Sequence, residues 1–369
     1  MRTKSLPQLW LLFTAAACVL VSCEKEAPQT FKSAPVETLE TYTVFATGLF
    51  NPRGLKFGPD GFLYVAEGGT GGTNSTVGQC DQVPFLGPYF GSPTGGKISK
   101  ISLSGERTTV SDQFPSSVPT ADPSVSGVAD IGFCGNDLYA LVTGGGCSHG
   151  VPDKPNGLYL VKPSGPPVLV ANLSEWVKNN PVAAPPADYQ PDGEWYSMVY
   201  LNNNFYAMNA NQGDFVKIST SGKVTRVADI SAIYGHIVPT SVTYCDKFYF
   251  GNLNPFPIVQ GSSSVYTSSL KGNLAVYETG YTTILGVAFD KKNRLYVLEN
   301  TTNTPFPTPG TGRVIRTDGK GNKETIAEGL ILPTAITAGP DGNLYVSNVG
   351  FGPVSNEGGG QIVKIEITD

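Results

Sequence analysis

Short segments of alternating apolar and polar residues, separated by turn residues, make up most of the chain after residue 40. Alternation with a period of two places successive side chains on opposite faces of a β-strand. The intervening turns are rich in Gly, Pro, Asn and Asp, as in Gly58-Pro59-Asp60-Gly61. The pattern therefore predicts an all-β fold of many short strands.

An internal repeat makes the prediction more specific. Residues 44–69 align without gaps to residues 325–350, and 12 of the 26 positions are identical. Weaker copies between them share a strand with an apolar–Tyr–apolar core, whose tyrosines are Tyr64, Tyr139, Tyr206, Tyr249, Tyr296 and Tyr345. Six copies of about four strands each predict a six-bladed β-propeller over residues 41–369.

The two ends of the repeat region are complementary. The last copy contains strands one to three, and its fourth strand is missing. Segment 41–46 aligns with a fourth strand at 322–327. We therefore expect the N-terminal strand to complete the last blade and close the ring, because an open ring would leave strand edges unpaired. An open solenoid is the alternative, but neither end carries a polar capping repeat.

The first 40 residues have a different character. A basic start is followed by an apolar run at 9–21, which is short for a permanent membrane-spanning helix. Ser22 and Cys23 follow the run directly. This pattern is typical of a bacterial lipoprotein signal peptide at 1–22, with lipidation of Cys23 and a flexible tether over 23–40. A secretory signal cut near Ala17 is the alternative. We expect an extracytoplasmic protein, in the periplasm or on the cell surface, whose lipid anchor alone contacts the membrane.

Composition excludes several classes of protein. The formal net charge of −5 excludes a sequence-independent nucleic-acid binder, which needs excess Lys and Arg. With 44 Gly and 29 Pro, the chain is also unsuited to a helical bundle. A hydrophobic content of 40% is sufficient for a sizeable core. We expect the protein to be a monomer.

The long connections between predicted strands all emerge on one face of a propeller, which we call the loop-rich face. These connections join strand two to strand three, or one blade to the next, at 68–96, 114–126, 144–156, 174–194, 252–263 and 301–312. Loops on a rigid scaffold are frequent binding sites, although insertions also accumulate where they are tolerated. Cys80 and Cys147 lie in equivalent loops of adjacent blades, and we predict a disulfide between them.

Polar residues recur where strand two meets its outgoing loop: Glu67, Thr143, Asn209, Asn252, Glu299 and Asn348. Asp130 adds a carboxylate in strand one of the second blade. Carboxylate and amide oxygens are ligands for a hard divalent cation such as Ca²⁺. The candidate metal ligands are Glu67, Asp130, Asn209, Asn252 and Glu299. The alternative is capping of strand ends by hydrogen bonds.

Other candidates for ligand binding lie on or near the same face. His149 and His236, the two histidines of the chain, fall in loops and are candidates for a general base or a ligand contact. The favoured alternative for each is a loop histidine bonded to backbone. Arg53 and Trp195 lead into strand one of their blades, and Trp195 is a candidate for stacking on a ligand, with core packing as its alternative.

Several loop motifs resemble the ScyD/ScyE family. They are NPRGL at 51–55, GGTGG at 68–72, TVGQC at 76–80, GCSHGVP at 146–152 and DGEWYSM at 192–198. The resemblance covers about 40–369 and implies an NHL/YWTD-like six-bladed propeller. Because the biochemical role of the family is poorly defined, the resemblance assigns no activity. Gluconolactonase-type propellers share this architecture, but no catalytic residue can be carried over from them.

Three functions remain open at this point. The first is binding of a small molecule, glycan or peptide at the loop-rich face. The second is a metal-assisted hydrolase or lyase, and the third is a protein-interaction scaffold. Binding is favoured over catalysis because no nucleophile–base pair is recognisable in the sequence.

Overall fold

The computed structural model describes residues 42–368, which form six four-stranded antiparallel sheets. The first three sheets, in order from their first strand, are β2 Pro52–Phe57, β3 Leu63–Glu67, β4 Tyr89–Ile101 and β5 Arg107–Pro119; β6 Val128–Cys134, β7 Asp137–Val142, β8 Gly157–Leu160 and β9 Val168–Asn172; and β10 Trp195–Leu201, β11 Asn204–Asn209, β12 Asp214–Ser219 and β13 Val224–Asp229.

The other three sheets repeat this order. They are β14 Pro239–Tyr244, β15 Phe248–Asn252, β16 Ser263–Ser268 and β17 Leu274–Tyr281; β18 Ile284–Phe289, β19 Leu295–Glu299, β20 Gly312–Thr317 and β21 Lys323–Leu330; and β22 Ala335–Ala338, β23 Leu344–Asn348, β24 Gly360–Ile365 and β1 Tyr42–Leu49. Short helices lie in four connections, at Cys147–His149 (a 3-10 turn), Leu173–Asn179 (α1), Ser231–Tyr234 (α2) and Pro353–Asn356 (α3).

The sheets are the blades of a closed six-bladed β-propeller, as the repeats predict. The first strand of every blade contacts the first strand of the next blade, and β2 also contacts β22. The ring therefore has no gap. β1 is the fourth strand of the last blade and pairs antiparallel with β24, from Tyr42 opposite Ile365 to Leu49 opposite Gly360. The predicted closure of the ring by the N-terminal strand is confirmed.

Turns of related sequence form the same contacts in different blades. In the first blade, the Asp60 carboxylate accepts a hydrogen bond from Tyr64 Oη at 2.9 Å and pairs with Lys100. In the last blade, Asp341 accepts from Tyr345 Oη at 3.0 Å and pairs with Lys364. The repeated tyrosine therefore packs in the sheet with its hydroxyl fixed at the turn.

The hydrophobic core lies between neighbouring blades. Between the second and third blades, Trp195, Phe205 and Met198 are fully buried against Leu141 and Leu158. Burying one large apolar side chain contributes roughly 1.5–3 kcal/mol relative to leaving it exposed, so this cluster favours the contact between the two blades. This packing holds the inner strands in place around the channel.

Two connections of the first blade are more ordered than the sequence suggests. The predicted loops 68–96 and 114–126 are partly strand, because β4 and β5 are each 13 residues long. Their pairing extends from Ile101 opposite Arg107 to Tyr89 opposite Pro119, with irregularities between Ser92 and Ser99. The prediction of irregular loops was therefore wrong for these residues, since the hairpin continues past the blade.

The predicted disulfide is confirmed. Cys80 and Cys147 are bonded with a Cα–Cα distance of 6.3 Å, which joins loops of the first and second blades. The signal peptide at 1–22, Cys23 and the tether at 23–40 lie outside the described residues. Within residues 42–368, no helix has the length and apolar character that crossing a membrane requires.

Candidate binding site at the channel mouth

The inner strands surround a channel with a pocket of about 570 Å³, a volume that includes space open to solvent. Its lining comes mainly from the six inner strands, β2, β6, β10, β14, β18 and β22, and from residues just before them. Because each inner strand begins where a blade-to-blade connection ends, this pocket lies toward the loop-rich face. We call it the channel mouth.

Arg53, at the start of the first blade, and Glu194, just before the third blade, are two of the four charged residues that line the pocket. Arg53 Nη2 donates to the carbonyl oxygen of Val125 at 2.9 Å. Oε2 of Glu194 is buried and has no hydrogen-bond partner within residues 42–368. Burial raises the pKa of Glu194 to about 7, although the Arg53 charge and a hydrogen bond with Thr143 act to lower it. The channel mouth thus holds a carboxyl that changes charge near neutral pH.

Tyr196 follows Glu194 by two residues in the chain and also lines the pocket. Its hydroxyl donates to the carbonyl oxygen of Thr334 at 2.8 Å, which connects the third blade to the last. Burial raises the pKa of Tyr196, so its hydroxyl is neutral under ordinary conditions. Tyr196 therefore offers a ligand an aromatic face and a neutral oxygen.

A second polar group lies further along the inner strands. Asp130 is fully buried, and its two carboxylate oxygens lie 3.0 and 3.1 Å from Lys56 Nζ. Ser197 Oγ donates to Asp130 at 3.1 Å and accepts from the Val242 backbone N–H at 3.2 Å. Side chains of three blades and the backbone of a fourth are therefore joined by hydrogen bonds.

Gly54 allows this arrangement, because an added Cβ there would lie 2.0 Å from Asp130 Oδ1. Two backbone N–H groups, of Ile131 and Met198, also donate to the Asp130 carboxylate, each at 2.8 Å. With a lysine, a hydroxyl and two backbone donors around it, this buried charge is well compensated.

The recurring polar residues at the ends of strand two bind backbone and neighbouring side chains. Three of them accept a backbone N–H from the connection before their blade: Glu67 from Phe50 at 2.7 Å, Glu299 from Thr282 at 2.5 Å and Asn348 from Ile331 at 2.7 Å. Asn252 donates to the carbonyl of Ile237, and Asn209 accepts from the N–H of Glu194. These contacts correspond to the alternative of strand-end capping.

The two carboxylates among them have further partners. Glu67 accepts from Ser99 Oγ at 2.5 Å, and burial raises its pKa. Glu299 pairs with Arg313 Nε at 2.6 Å. Residues 42–368 contain no group of three or more His, Cys, Asp or Glu arranged to hold a metal ion. The oxygens of the candidate ligands accept hydrogen bonds from protein groups in this arrangement.

The remaining candidates lie in buried or loop positions. His149 is fully buried, its ring centroid is 4.5 Å from that of Tyr89, and burial lowers its pKa to about 4. Trp195 is fully buried in the core between two blades, so its ring is not available for stacking on a ligand. His236 Nε2 lies 3.3 Å from Asp188 Oδ1 in a loop contact.

Ser148, His149 and Asp192 lie together but do not form a nucleophile–base pair. Ser148 Oγ donates to Asp192 Oδ2 at 2.6 Å, and His149 Nδ1 lies 3.2 Å from the same Oγ. All three residues are buried, and the serine hydroxyl is bound to the carboxylate and not free to donate to the imidazole. This cluster stabilises the loop that carries Cys147, and it offers no exposed nucleophile.

Sequence reasoning found Arg53 and Asp130 but did not select Glu194, Tyr196, Ser197 or Lys56 as site residues. The available signal was the position of each on an inner strand or just before one, which the repeats already define. Their chemistry was not readable from the sequence, because a buried carboxyl oxygen without a hydrogen-bond partner is recognised only when its surroundings are known.

Comparisons with known proteins support the architecture. No protein-family model matches the chain, and no curated protein matches it. A putative oxidoreductase (glucose dehydrogenase) from Thermus thermophilus has a solved structure with a TM-score of 0.55 and 15% identity, covering 88% of this chain and 99% of that one. Regucalcin from Agrobacterium tumefaciens, a calcium-binding protein, gives a TM-score of 0.53 and 14% identity over 89% and 94%.

A protein of unknown function from Bacteroides thetaiotaomicron gives a TM-score of 0.54 and 12% identity, covering 88% of this chain and 72% of that one. At these identities the similarity establishes the propeller fold alone. The function must be argued from the residues at the channel mouth.

Proposed function

We propose that this protein binds a small polar molecule at the channel mouth of its loop-rich face. The observation that carries the proposal is the buried Glu194 Oε2, which has no hydrogen-bond partner within residues 42–368 and lines the same pocket as Arg53. An unpaired buried carboxyl oxygen costs the folded protein free energy. A ligand that pairs with it recovers this energy, and that makes the group a natural contact.

The two side chains define the chemistry of the ligand. Arg53 donates to a carboxylate or hydroxyl oxygen, and Glu194 accepts from a hydroxyl or amine when it is ionised. Tyr196 provides a flat surface beside them. A sugar, a small acid or the end of a peptide satisfies these requirements, so glycans and peptides that enter from the loop-rich face remain within the proposal.

The binding test is a thermal-shift screen of the purified protein with monosaccharides, small hydroxy acids, amino acids and dipeptides. We expect at least one class to raise the melting temperature. The increase should be lost in Arg53→Met and Glu194→Gln and retained in the matched control Glu328→Gln, whose side chain is exposed on β21. An equal increase in all four proteins would place the binding site elsewhere.

We also propose that the protein is a lipoprotein of the ScyD/ScyE family, tethered outside the cytoplasm through Cys23. The leader pattern supports this proposal, as does the Cys80–Cys147 disulfide, since disulfides persist in oxidising compartments. Mass spectrometry of the mature N-terminus tests it. A diacylglycerol adduct on Cys23 is expected, whereas an unmodified terminus near residue 18 would indicate an ordinary secretory signal.

A second candidate function is hydrolysis or elimination with Glu194 as general acid or base. The observation in its favour is a carboxyl pKa of about 7, which suits proton transfer near neutral pH. Turnover of small esters or lactones that is lost in Glu194→Gln would support it. The metal-assisted version also requires stoichiometric Ca²⁺ after dialysis, and a metal-free protein with unchanged activity would exclude that version.

A further inference from the structure

Two neighbouring loops on the loop-rich face carry the same short motif. The sequence Pro-Phe-Pro occurs at 255–257, between β15 and β16, and again at 305–307, between β19 and β20. Phe256 is 52% exposed and Phe306 is 62% exposed, although both belong to a residue type that is normally buried. Exposed aromatic rings at equivalent positions of adjacent blades indicate a binding surface.

The structure brings the two rings side by side. Their centroids are 6.1 Å apart and their planes differ by 32°. The backbone N–H of Ile258 donates to the carbonyl oxygen of Pro305 at 2.9 Å, which joins the two loops, and the Ile258 side chain is buried. We call Phe256, Phe306 and loops 253–262 and 300–311 the aromatic platform.

Internal hydrogen bonds hold each loop in shape. Asn254 Nδ2 donates to Ser262 Oγ at 3.0 Å in the first loop. In the second loop, the hydroxyls of Thr301 and Thr311 lie 2.7 Å apart, and Thr311 also donates to the carbonyl oxygen of Thr308. The rings are therefore presented to solvent by ordered loops, and a ligand that stacks on them need not order the loops first.

The chemistry around the rings selects the ligand. Neither loop contains Asp, Glu, Lys or Arg. Val259 and three of the four prolines beside the rings are exposed, and the polar side chains exposed in the two loops are amides and hydroxyls: Gln260, Ser262, Asn303 and Thr304. A nucleic acid or an anionic membrane needs cationic side chains, which these loops lack. Uncharged donors and acceptors beside flat apolar surfaces match the hydroxyls and the C–H faces of a neutral sugar.

We propose that the aromatic platform binds a neutral glycan, with sugar rings stacked on Phe256 and Phe306 and their hydroxyls bonded to the amides and hydroxyls of the two loops. None of the loop residues lines the channel mouth. The platform is thus a second site that goes beyond the proposed function, and it stands whether or not a small molecule binds in the channel.

The test is affinity electrophoresis of the full chain in gels that contain soluble neutral polysaccharides: amylopectin, dextran, laminarin, galactomannan, xyloglucan or mannan. All proteins carry Cys23→Ser, so that no acyl chain contributes to binding. We expect at least one polysaccharide to retard migration. The Phe256→Ala/Phe306→Ala double variant should lose at least tenfold in affinity for that polysaccharide.

Phe85→Ala is the matched control, because Phe85 is 78% exposed on a loop of the first blade and also follows a proline. It should bind like the parent protein, and an unchanged melting temperature of the double variant shows that the fold survives. Retardation by none of the six polysaccharides, or equal retardation of the double variant, overturns the proposal. Cosedimentation with phosphatidylcholine vesicles that depends on Phe256 and Phe306 overturns it in favour of a membrane contact.

Discussion

Glu194→Gln should make the protein more stable at pH 8 than the wild type and should remove part of its pH dependence. The pKa of Glu194 rises from 4.5 to about 7 on folding, because the carboxyl is buried. At ~1.4 kcal/mol per pKa unit, ionising this group costs the folded state roughly 3 kcal/mol. Between pH 4.5 and 7 the folded protein binds more protons than the unfolded chain, so stability falls as pH rises through this range.

The substitution replaces the ionisable carboxyl by a neutral amide of nearly the same size. The difference in unfolding free energy between Glu194→Gln and wild type should therefore grow by up to about 3 kcal/mol from pH 4.5 to pH 8. Urea denaturation at half-unit pH intervals measures this difference, and Glu328→Gln is the control at an exposed site. A difference that stays constant with pH would refute the assignment of Glu194 as a buried carboxyl with a raised pKa.

Three further predictions concern stability. Reducing the Cys80–Cys147 disulfide should lower the free energy of unfolding by about 2–4 kcal/mol and lower the melting temperature. An unchanged melting temperature would mean that the bond constrains the unfolded chain little. Lys56→Met should lower the free energy of unfolding by roughly 2 kcal/mol, which is less than the ~3–5 kcal/mol for breaking a fully buried ion pair, because Asp130 keeps three other donors. In urea denaturation, adding Asp130→Asn to this variant should recover part of the loss. Losses that simply add in the double variant would contradict the pairing of Lys56 with Asp130. Deleting residues 42–49 should expose β24 and produce aggregates on size-exclusion chromatography, and a stable monomer would show that ring closure is dispensable.

The architecture was predictable because its signals are local and repeated. Tyr64 and Tyr345 occupy the same place in two copies of one pattern, and the structure gives their hydroxyls the same aspartate partner. The missing fourth strand of the last copy left one candidate, the segment before the first copy. The disulfide followed from the same ring, since equivalent loops of adjacent blades lie close together.

The candidate site was predictable in position but not in chemistry. The polar residues at the ends of strand two recur in the sequence, but their role depends on which groups face them. Glu299 contacts the Thr282 backbone and Arg313, and Asn252 contacts the carbonyl of Ile237. Their polar atoms therefore form hydrogen bonds and an ion pair within the protein. From the sequence, residues with this structural role could not be distinguished from a set of metal ligands.

Sequence alone determined the number of blades, the strand that closes the ring, the face with the long loops and the pairing of Cys80 with Cys147. Each of these depends on periodicity and on the spacing of copies, which are properties of the chain itself. Only the tertiary structure decided that Oε2 of Glu194 has no hydrogen-bond partner within residues 42–368, that Trp195 is core and that Phe256 lies beside Phe306. The reason is physical: burial, pKa and ring contacts are set by atoms of different blades, such as Arg53, Thr143 and Glu194, whose separation no local pattern records.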